Sequence, residues 1–181
     1  MTPDLRLITD PTPETASTAE FADAMSALAG GVVLVTCRLD GRPWGMTVTS
    51  FVSVSADPPS VLISLGSETT STRAITATRR FGVSILAEEQ VALARLCSAP
   101  GGAKFLEPFV DPDDGGTASP PVAGALAHLD CALAQTVRIA DHTIFIGRVR
   151  AARSSRSGTP LLYHRRGYRP PTERTLTCLS S

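Results

Sequence analysis

Apolar and polar residues alternate along much of this chain, and the alternation predicts antiparallel β-strands. Val32 to Leu39 is a β-branched and apolar run typical of a buried strand. The dipeptide Asp40-Gly41 predicts a tight hairpin turn, so a return strand is expected from about Trp44 to Ser55. Pro58-Pro59 interrupts this strand. Val61 to Leu65 follows as a predicted interior strand.

The second half of the chain predicts a further set of strands. Phe81 to Leu86 is one, and a clean period of two begins near Leu129. Its predicted apolar face holds Leu129, Cys131, Leu133, Val137 and Ile139, and its predicted solvated face holds His128, Asp130, Thr136 and Arg138. A turn is expected at Asp141-His142-Thr143. Ile144 to Ala151 is then the return strand, and Pro160 to Tyr163 is a last short one.

Three helices are predicted beside the strands. Ser17 and Glu20 form a capping box, and Phe21, Met25 and Leu28 follow on one helix face. These observations predict a helix over residues 18–29 that packs by its apolar stripe and ends at Gly30-Gly31. Shorter helices are expected near residues 71–79 and over residues 88–97.

Many strands, few helices and no β-α-β alternation favour a mainly β fold over a doubly wound one. The expected architecture is a closed or nearly closed antiparallel barrel with peripheral helices. Residues 106–121 are rich in Pro, Asp and Gly and are interpreted as a surface loop within one domain. The predicted domain covers residues 17–170, with a mobile tail over 1–16 and a second tail over 171–181.

Composition narrows the possible functions. The 181 residues are 43% apolar and 19% charged, with zero formal net charge, so we expect no nucleic-acid partner and no membrane association. The four cysteines form no C-x-x-C pair, and the three histidines are scattered, so no metal site is predicted. Without an export signal, the thiols are expected to be reduced in the cytoplasm. Cys37 and Cys131 are expected to be buried.

Candidate chemistry concentrates between Gly45 and Thr72. Strand-like runs with terminal hydroxyl residues lead into a hydroxyl-rich loop and a predicted helix start near Ser71. Such a point suits a phosphate or a polyhydroxyl chain, because hydroxyl and amide groups donate there and the helix dipole favours an anion. A solvent-facing strand with an ordinary helix cap explains the same residues. Lys104, the only lysine, is either a cation beside a phosphate or a solvated side chain.

Other catalytic signals are few. No G-x-S-x-G, P-loop or G-x-G-x-x-G motif follows a strand, which argues against a hydrolase with its own triad. His142 differs from the other histidines because it lies between Asp141 and Thr143 at a predicted strand-to-strand turn. A neighbouring group there is able to orient its imidazole toward a ligand.

Several of these segments, in this order, resemble the short-chain flavin reductases, the reductase components of two-component flavin-dependent monooxygenases. The resemblance covers about residues 20–169. The matching segments are Ala29-Gly30-Gly31-Val32, Gly45-Met46-Thr47-Val48-Thr49-Ser50-Phe51, Ser53-Val54-Ser55, Asp57-Pro58-Pro59, Ser71-Thr72, Arg80-Phe81-Gly82-Val83, Gly102-Ala103-Lys104-Phe105, Leu129-Asp130-Cys131, Asp141-His142-Thr143-Ile144-Phe145-Ile146-Gly147 and Pro160-Leu161-Leu162-Tyr163.

The resemblance implies an antiparallel Greek-key split β-barrel, usually a homodimer, that binds FMN or FAD non-covalently and uses NADH or NADPH. It implies that reduced flavin passes to a partner monooxygenase. The implied flavin contacts are Met46, Thr47, Val48, Thr49, Ser50, Ser64, Leu65, Lys104 and Phe105, with Ser71 and Thr72 at the phosphate. His142 matches the histidine near the nicotinamide, and Tyr168 is implied to help cover it.

Two departures from the family pattern leave alternatives open. Ala140 stands where the family often has glycine, and the segment Arg165 to Tyr168 matches only loosely. One alternative is a split-barrel protein that binds a flavin without reducing it. Another is a flavoprotein that keeps its flavin and acts directly on an organic substrate.

Overall fold

The computed structural model describes residues 15–111, 116–169 and 171. Most of the two predicted tails, and Cys178, therefore lie outside the described residues. The helices are α1 Thr18–Ser26, α2 Thr70–Thr78 and α3 Val91–Ser98, with a 3-10 turn at Glu88–Gln90. The strands are β1 Gly30–Gly31, β2 Val33–Leu39, β3 Arg42–Val48, β4 Phe51–Ala56, β5 Pro59–Gly66, β6 Arg80–Ile85, β7 Ala127–Ile139, β8 His142–Ser154, β9 Leu162–His164 and β10 Gly167–Arg169.

Seven of the strands form one antiparallel sheet in the order β3-β2-β6-β7-β8-β5-β4. Strands β1, β9 and β10 form a small second sheet. The mainly β architecture predicted from the alternation is confirmed. Strands β3 and β4 follow each other in the chain but lie at opposite edges of the large sheet, so the barrel is open between them. Within the described part of the chain, no helix is long and apolar enough to cross a membrane.

The prediction of one continuous return strand from Trp44 to Ser55 was wrong. The strand breaks at Thr49-Ser50, where the chain leaves β2 and joins β5. Ser50 fixes this crossing, because its hydroxyl donates to the Ser64 carbonyl at 2.6 Å and its carbonyl accepts from the Ser64 amide at 3.2 Å. The hairpin at Asp40-Gly41 is confirmed, with both residues at positive φ.

Strand β2 separates two hydrophobic clusters because its side chains point alternately to its two faces. Val33 and Val35 pack inside the barrel with Ile63, Phe81 and Phe145. Val32 and Leu34, by contrast, pack beneath α3 with Leu86, Leu93, Cys97 and Leu106. Cys37 and Cys131 are fully buried as predicted.

Helix α1 differs from its prediction. Its capping box is present, but the helix ends at Ser26, and Gly30-Gly31 forms β1 against β9. The expected core stripe is exposed: Phe21 by 62%, Met25 by 47% and Leu28 by 64%. The period of 3.6 residues was correct, but α1 lies outside the barrel, where no described element covers its apolar face.

Strands β7 and β8 depart from the predicted alternation in four ways. Bulges fall between Asp130 and Cys131 and between Leu133 and Gln135, and Ile139 is 56% exposed near the distal end. The turn comprises Ala140 and Asp141, so His142 begins β8 rather than lying in the turn. His128 was predicted to be solvated, but it is only 8% exposed because residues 117–126 cover its face.

Candidate functional site

The N-terminus of α2 is built by a local hydroxyl network. Thr69 caps the helix, and its hydroxyl accepts the Thr72 amide at 3.2 Å. The Thr72 hydroxyl donates to the Gly66 carbonyl at 2.8 Å. The first amides of a helix have no intrahelical partner, so those of Thr70 and Ser71 remain for a ligand. The resemblance places Thr72 at the phosphate, and its hydroxyl closes this turn.

A cavity of about 640 Å³, here called the α2 cavity, opens at this helix start. It brings together four residues predicted from the sequence: Met46, Ser71, Lys104 and Phe105. Its full lining is Leu39, Trp44, Met46, Glu68, Thr69, Thr70, Ser71, Ser98, Pro100, Gly101, Gly102, Ala103, Lys104 and Phe105. The positive end of a helix and a lysine therefore face the same space.

The segment from Lys104 to Leu106 forms one wall of the α2 cavity by pairing with the outer edge of β3. The Gly45 amide donates to the Lys104 carbonyl at 3.0 Å, and the Leu106 amide donates to the Pro43 carbonyl at 2.9 Å. The Phe105 ring meets Trp44 edge-on, with 5.1 Å between ring centroids. A side chain on Gly45 would approach Leu106 Cδ1 to 2.6 Å, which explains the glycine.

Beyond Gly45 this edge of β3 has no strand beside it. Backbone groups of alternate strand residues point to the same side. Because the Gly45 amide points outward to Lys104, the amide and carbonyl of Thr47 also point outward. Among the described residues, no strand pairs with β3 on that side. A flat heterocycle with polar edges has donors and acceptors available there.

A second cavity of about 390 Å³ lies at the other end of this open edge, and we call it the tyrosine cavity. Ser98 lines both cavities. The lining residues of the tyrosine cavity are Val32, Thr47, Val48, Thr49, Arg95, Ser98, Tyr163, Arg166, Gly167 and Tyr168. The predicted run from Met46 to Thr49 is thus divided, with Met46 at the α2 cavity and the other three residues here. The Thr47 hydroxyl donates to the Ala94 carbonyl at 2.8 Å and so anchors α3.

Three predicted flavin contacts lie elsewhere. Ser50 and Ser64 hydrogen-bond to each other at the crossing between β3 and β5. Leu65 is 1% exposed and belongs to the barrel core. None of the three lines either cavity.

His142 lies at the same end of the sheet as the α2 cavity but outside it. It pairs with Gly66, two residues before the cavity residue Glu68. Its side chain is 53% exposed, and its Nδ1 lies 2.8 Å from the Asp141 carboxylate. The hydrogen bond with His142 lowers the pKa of Asp141. An ionised carboxylate therefore orients the exposed imidazole.

Several residues that line the two cavities were not predicted as site residues, and those with the most distinctive chemistry are Trp44, Arg95, Tyr163 and Arg166. The single tryptophan beside a hydroxyl-rich run was an available signal for Trp44. Arg95 lies in the last turn of α3, where a cation is expected for the helix dipole alone. Tyr163 and Arg166 depend on the pairing of β9 with β10, which no local pattern specifies.

Comparison with known proteins finds relatives that match most of the chain. The chain is 35% identical over 147 residues to the reductase component of 4-nitrophenol 4-monooxygenase/4-nitrocatechol 2-monooxygenase from Rhodococcus opacus, covering 81% of this chain and 77% of the relative. It is 36% identical over 169 residues to NADH:riboflavin 5'-phosphate oxidoreductase from Streptomyces pristinaespiralis, and the match covers 92% of this chain and 95% of that relative.

A solved structure of the NADH:FAD oxidoreductase SgcE6 from Streptomyces globisporus, in complex with NAD and FAD fragments, is also similar. Its TM-score is 0.76 at 30% sequence identity, and the match covers 90% of this chain and 94% of that one. The family model described as flavin reductase like domain matches residues 25–172. The chain therefore belongs to the flavin reductase like domain family.

Proposed function

We propose that this protein uses NADH to reduce FMN or FAD and supplies the reduced flavin to a separate monooxygenase. The relatives' names support this function, since one is an NADH:flavin oxidoreductase and another is a monooxygenase reductase component. The observation that carries the proposal is the α2 cavity, where Met46, Ser71, Lys104 and Phe105 meet at the positive end of a helix.

The residues around α2 fit the phosphate end of a flavin nucleotide. The free amides of Thr70 and Ser71 are donors for phosphate oxygens. Arg73 adds a cation at the same helix end, since its guanidinium donates to the Glu68 carbonyl at 3.2 Å and to the Thr70 hydroxyl at 3.4 Å. Lys104 faces the cavity from the opposite wall.

The open edge of β3 fits the ring. The Thr47 amide and carbonyl would bind the polar edge of an isoalloxazine, and Trp44, Met46 and Phe105 supply apolar walls. A bound flavin supplies the electron-transfer chemistry itself. The chain therefore has to bind and orient the two nucleotides and exclude water. An outward amide at the ring's pyrimidine edge would also favour the negative charge of the reduced form.

His142 and Tyr168 are proposed to contact the nicotinamide. Tyr168 lines the tyrosine cavity, which adjoins the β3 edge.

His142 lies outside both cavities of the single chain, and we propose that a second copy completes its surroundings in a homodimer. Exposed apolar side chains support such an assembly, and they include Phe21 and Met25 on α1 and Val52 and Val54 on the edge strand β4. Size-exclusion chromatography with light scattering tests it.

We also propose that the protein acts in the cytoplasm, where the buried thiols of Cys37, Cys97 and Cys131 stay reduced. Burial raises the pKa of Cys37 and of Cys131 to about 12. These thiols are therefore protonated near neutral pH and have no role in the proposed reaction.

The decisive experiment is an assay of NADH and NADPH oxidation with added FMN, FAD or no flavin. Oxidation of NADH that depends on added flavin supports the proposal, and no turnover in any combination rejects it. An anaerobic titration of the flavin-loaded protein separates the alternatives. Flavin that binds but is not bleached by NADH indicates a binding protein only. Flavin that stays bound and does not exchange with free flavin indicates direct action on another substrate.

A further inference from the structure

The tyrosine cavity carries an unbalanced positive charge that the flavin site does not explain. Arg95 on α3 and Arg166 in the β9–β10 turn both line it, and its lining includes no Asp or Glu. Ion pairs between side chains of the described residues include Arg42–Glu107, Arg80–Asp130, Arg138–Glu68 and His142–Asp141. Neither Arg95 nor Arg166 takes part in them. Two guanidinium groups without a carboxylate partner among the described residues therefore line one cavity and make it a local anion site, although the formal charge of the whole chain is zero.

The backbone around Arg166 is held in an uncommon conformation. Arg165 and Arg166 have φ of 46° and 59°, in the left-handed region that residues with a Cβ rarely adopt. The Arg165 amide donates to the Ser26 carbonyl at 2.9 Å, and β9 and β10 pair on either side of the turn. These contacts fix the turn that carries Arg166 beside the cavity.

Neutral groups that suit a nucleotide complete the lining. Tyr163 and Tyr168 meet edge to face, with ring centroids 5.2 Å apart. Thr49 and Ser98 contribute hydroxyl groups. Aromatic rings, hydroxyls and two arginines together match a molecule with flat bases, sugars and a pyrophosphate.

The position of the cavity indicates which nucleotide it takes. Phosphate donors already exist at the start of α2, in the α2 cavity, so a flavin placed there directs its phosphate end away from the tyrosine cavity. Thr47 and Val48 connect the open β3 edge to the tyrosine cavity. If the nicotinamide of the dinucleotide stacks on a flavin ring at the open β3 edge, the phosphates of the dinucleotide lie near Arg95 and Arg166.

We infer that Arg95 and Arg166 bind the pyrophosphate of the nicotinamide dinucleotide. This inference rests on the proposed function for its geometry, but it assigns two residues that neither the sequence patterns nor the resemblance indicated. Both NADH and NADPH carry this pyrophosphate, so the pair recognises the dinucleotide backbone and not the 2′-phosphate.

The test uses the full chain with Arg95→Gln, Arg166→Gln and the double substitution. Arg165→Gln is the matched control, because Arg165 is exposed in the same turn and lines neither cavity. Binding of ADP-ribose to flavin-free protein is measured by calorimetry. Each single variant should bind ADP-ribose about 10-fold more weakly, the loss expected for one charged hydrogen bond. The FMN affinity should stay within about two-fold of that of the original chain. The melting temperature should stay within about 2 °C of the original value.

Kinetics give a second readout. KM should rise by the same factor for NADH and NADPH, with kcat retained, and Arg166→Lys should recover part of the affinity because the charge remains. Three results would each overturn the inference: ADP-ribose affinity unchanged in the double variant, equal losses of FMN or FAD affinity, or a loss confined to NADPH. The ADP-ribose measurement needs no turnover, so it still decides the inference if the reductase assay is negative.

Discussion

The indole Nε1 of Trp44 donates a hydrogen bond to the Ser71 hydroxyl at 3.2 Å, joining β3 to the first turn of α2. Ser71 is 1% exposed and yet lines the α2 cavity. Because Ser71 accepts this bond, its own O–H remains able to donate to a ligand. Trp44 therefore orients the hydroxyl that we propose binds the flavin phosphate, and its ring shapes the same cavity against Phe105.

Replacing Ser71 by alanine should weaken binding of FMN more than binding of riboflavin, which has no phosphate. The loss of one hydrogen bond to a charged group corresponds to roughly ten-fold in affinity. Fluorescence titration of both flavins measures the difference. Thr76→Ala is the control, because Thr76 lies on the same helix but donates to the Thr72 carbonyl. An equal loss for riboflavin would show that Ser71 does not contact the phosphate.

Replacing His142 by alanine should impair nicotinamide use and leave flavin affinity nearly intact. The oriented imidazole is proposed to bind the carboxamide, so KM for NADH should rise by about ten-fold or more. Steady-state kinetics at saturating FMN measures the KM for NADH, and a flavin titration measures the flavin affinity. His164→Ala is a control histidine that lines neither cavity. Parallel losses of flavin and NADH binding would contradict the assignment.

Short-range signals in the sequence predicted much of the fold correctly. Asp40-Gly41 specified the β2–β3 hairpin because both positions adopt positive φ, and Gly is favoured there. The capping residues likewise marked the starts of α1 and α2 to within about a residue. In the site, the hydroxyl-rich loop before α2 lines the α2 cavity, and its role in binding phosphate stays a prediction.

Long-range pairing decided the features that the sequence did not predict. Nothing local at Thr49-Ser50 indicates that the chain moves from one edge of the sheet to the other, since that depends on β5. His128 has the periodicity of a solvated residue, but the loop that directly precedes β7 folds back over it, and periodicity within the strand does not show this. Phe21 was predicted to be buried but is exposed, because amphipathic periodicity does not reveal which element, if any, packs against a helix face.

Replacing Ala140 by glycine should stabilise the protein. Ala140 has φ of 51° in the β7–β8 turn, a conformation costing a residue with a Cβ about 1–2 kcal/mol. Part of the gain is offset by the greater freedom of glycine in the unfolded chain, so the net increase should be about 0.5–1 kcal/mol. Urea unfolding monitored by circular dichroism measures it, with Ala132→Gly in β7 as a control expected to destabilise, because Ala132 is paired with a strand on each side. A lower stability of Ala140→Gly would contradict the strain argument.

His128 should make stability depend on pH below neutrality. Its Nδ1 lies 2.9 Å from the Ser84 hydroxyl, and its Nε2 lies 3.0 Å from the Ser119 carbonyl. Burial lowers the pKa of His128 below 6.5, despite the opposing effects of the Ser119 carbonyl and Asp130. The unfolded chain therefore binds a proton at higher pH than the folded chain does.

The contribution of His128 to stability is accordingly complete above pH 6.5 and is lost as pH falls through its lowered pKa. Its part of the free energy of unfolding should fall by up to about 1.4 kcal/mol per pH unit in that window. His128→Gln should be less stable at pH 7 but should show a flatter pH profile between pH 7 and pH 5. Urea titrations at half-unit steps measure both profiles, and His164→Gln should keep the original slope. An unchanged slope in His128→Gln would assign the acid sensitivity to other groups, Asp130 with its Arg80 partner first among them.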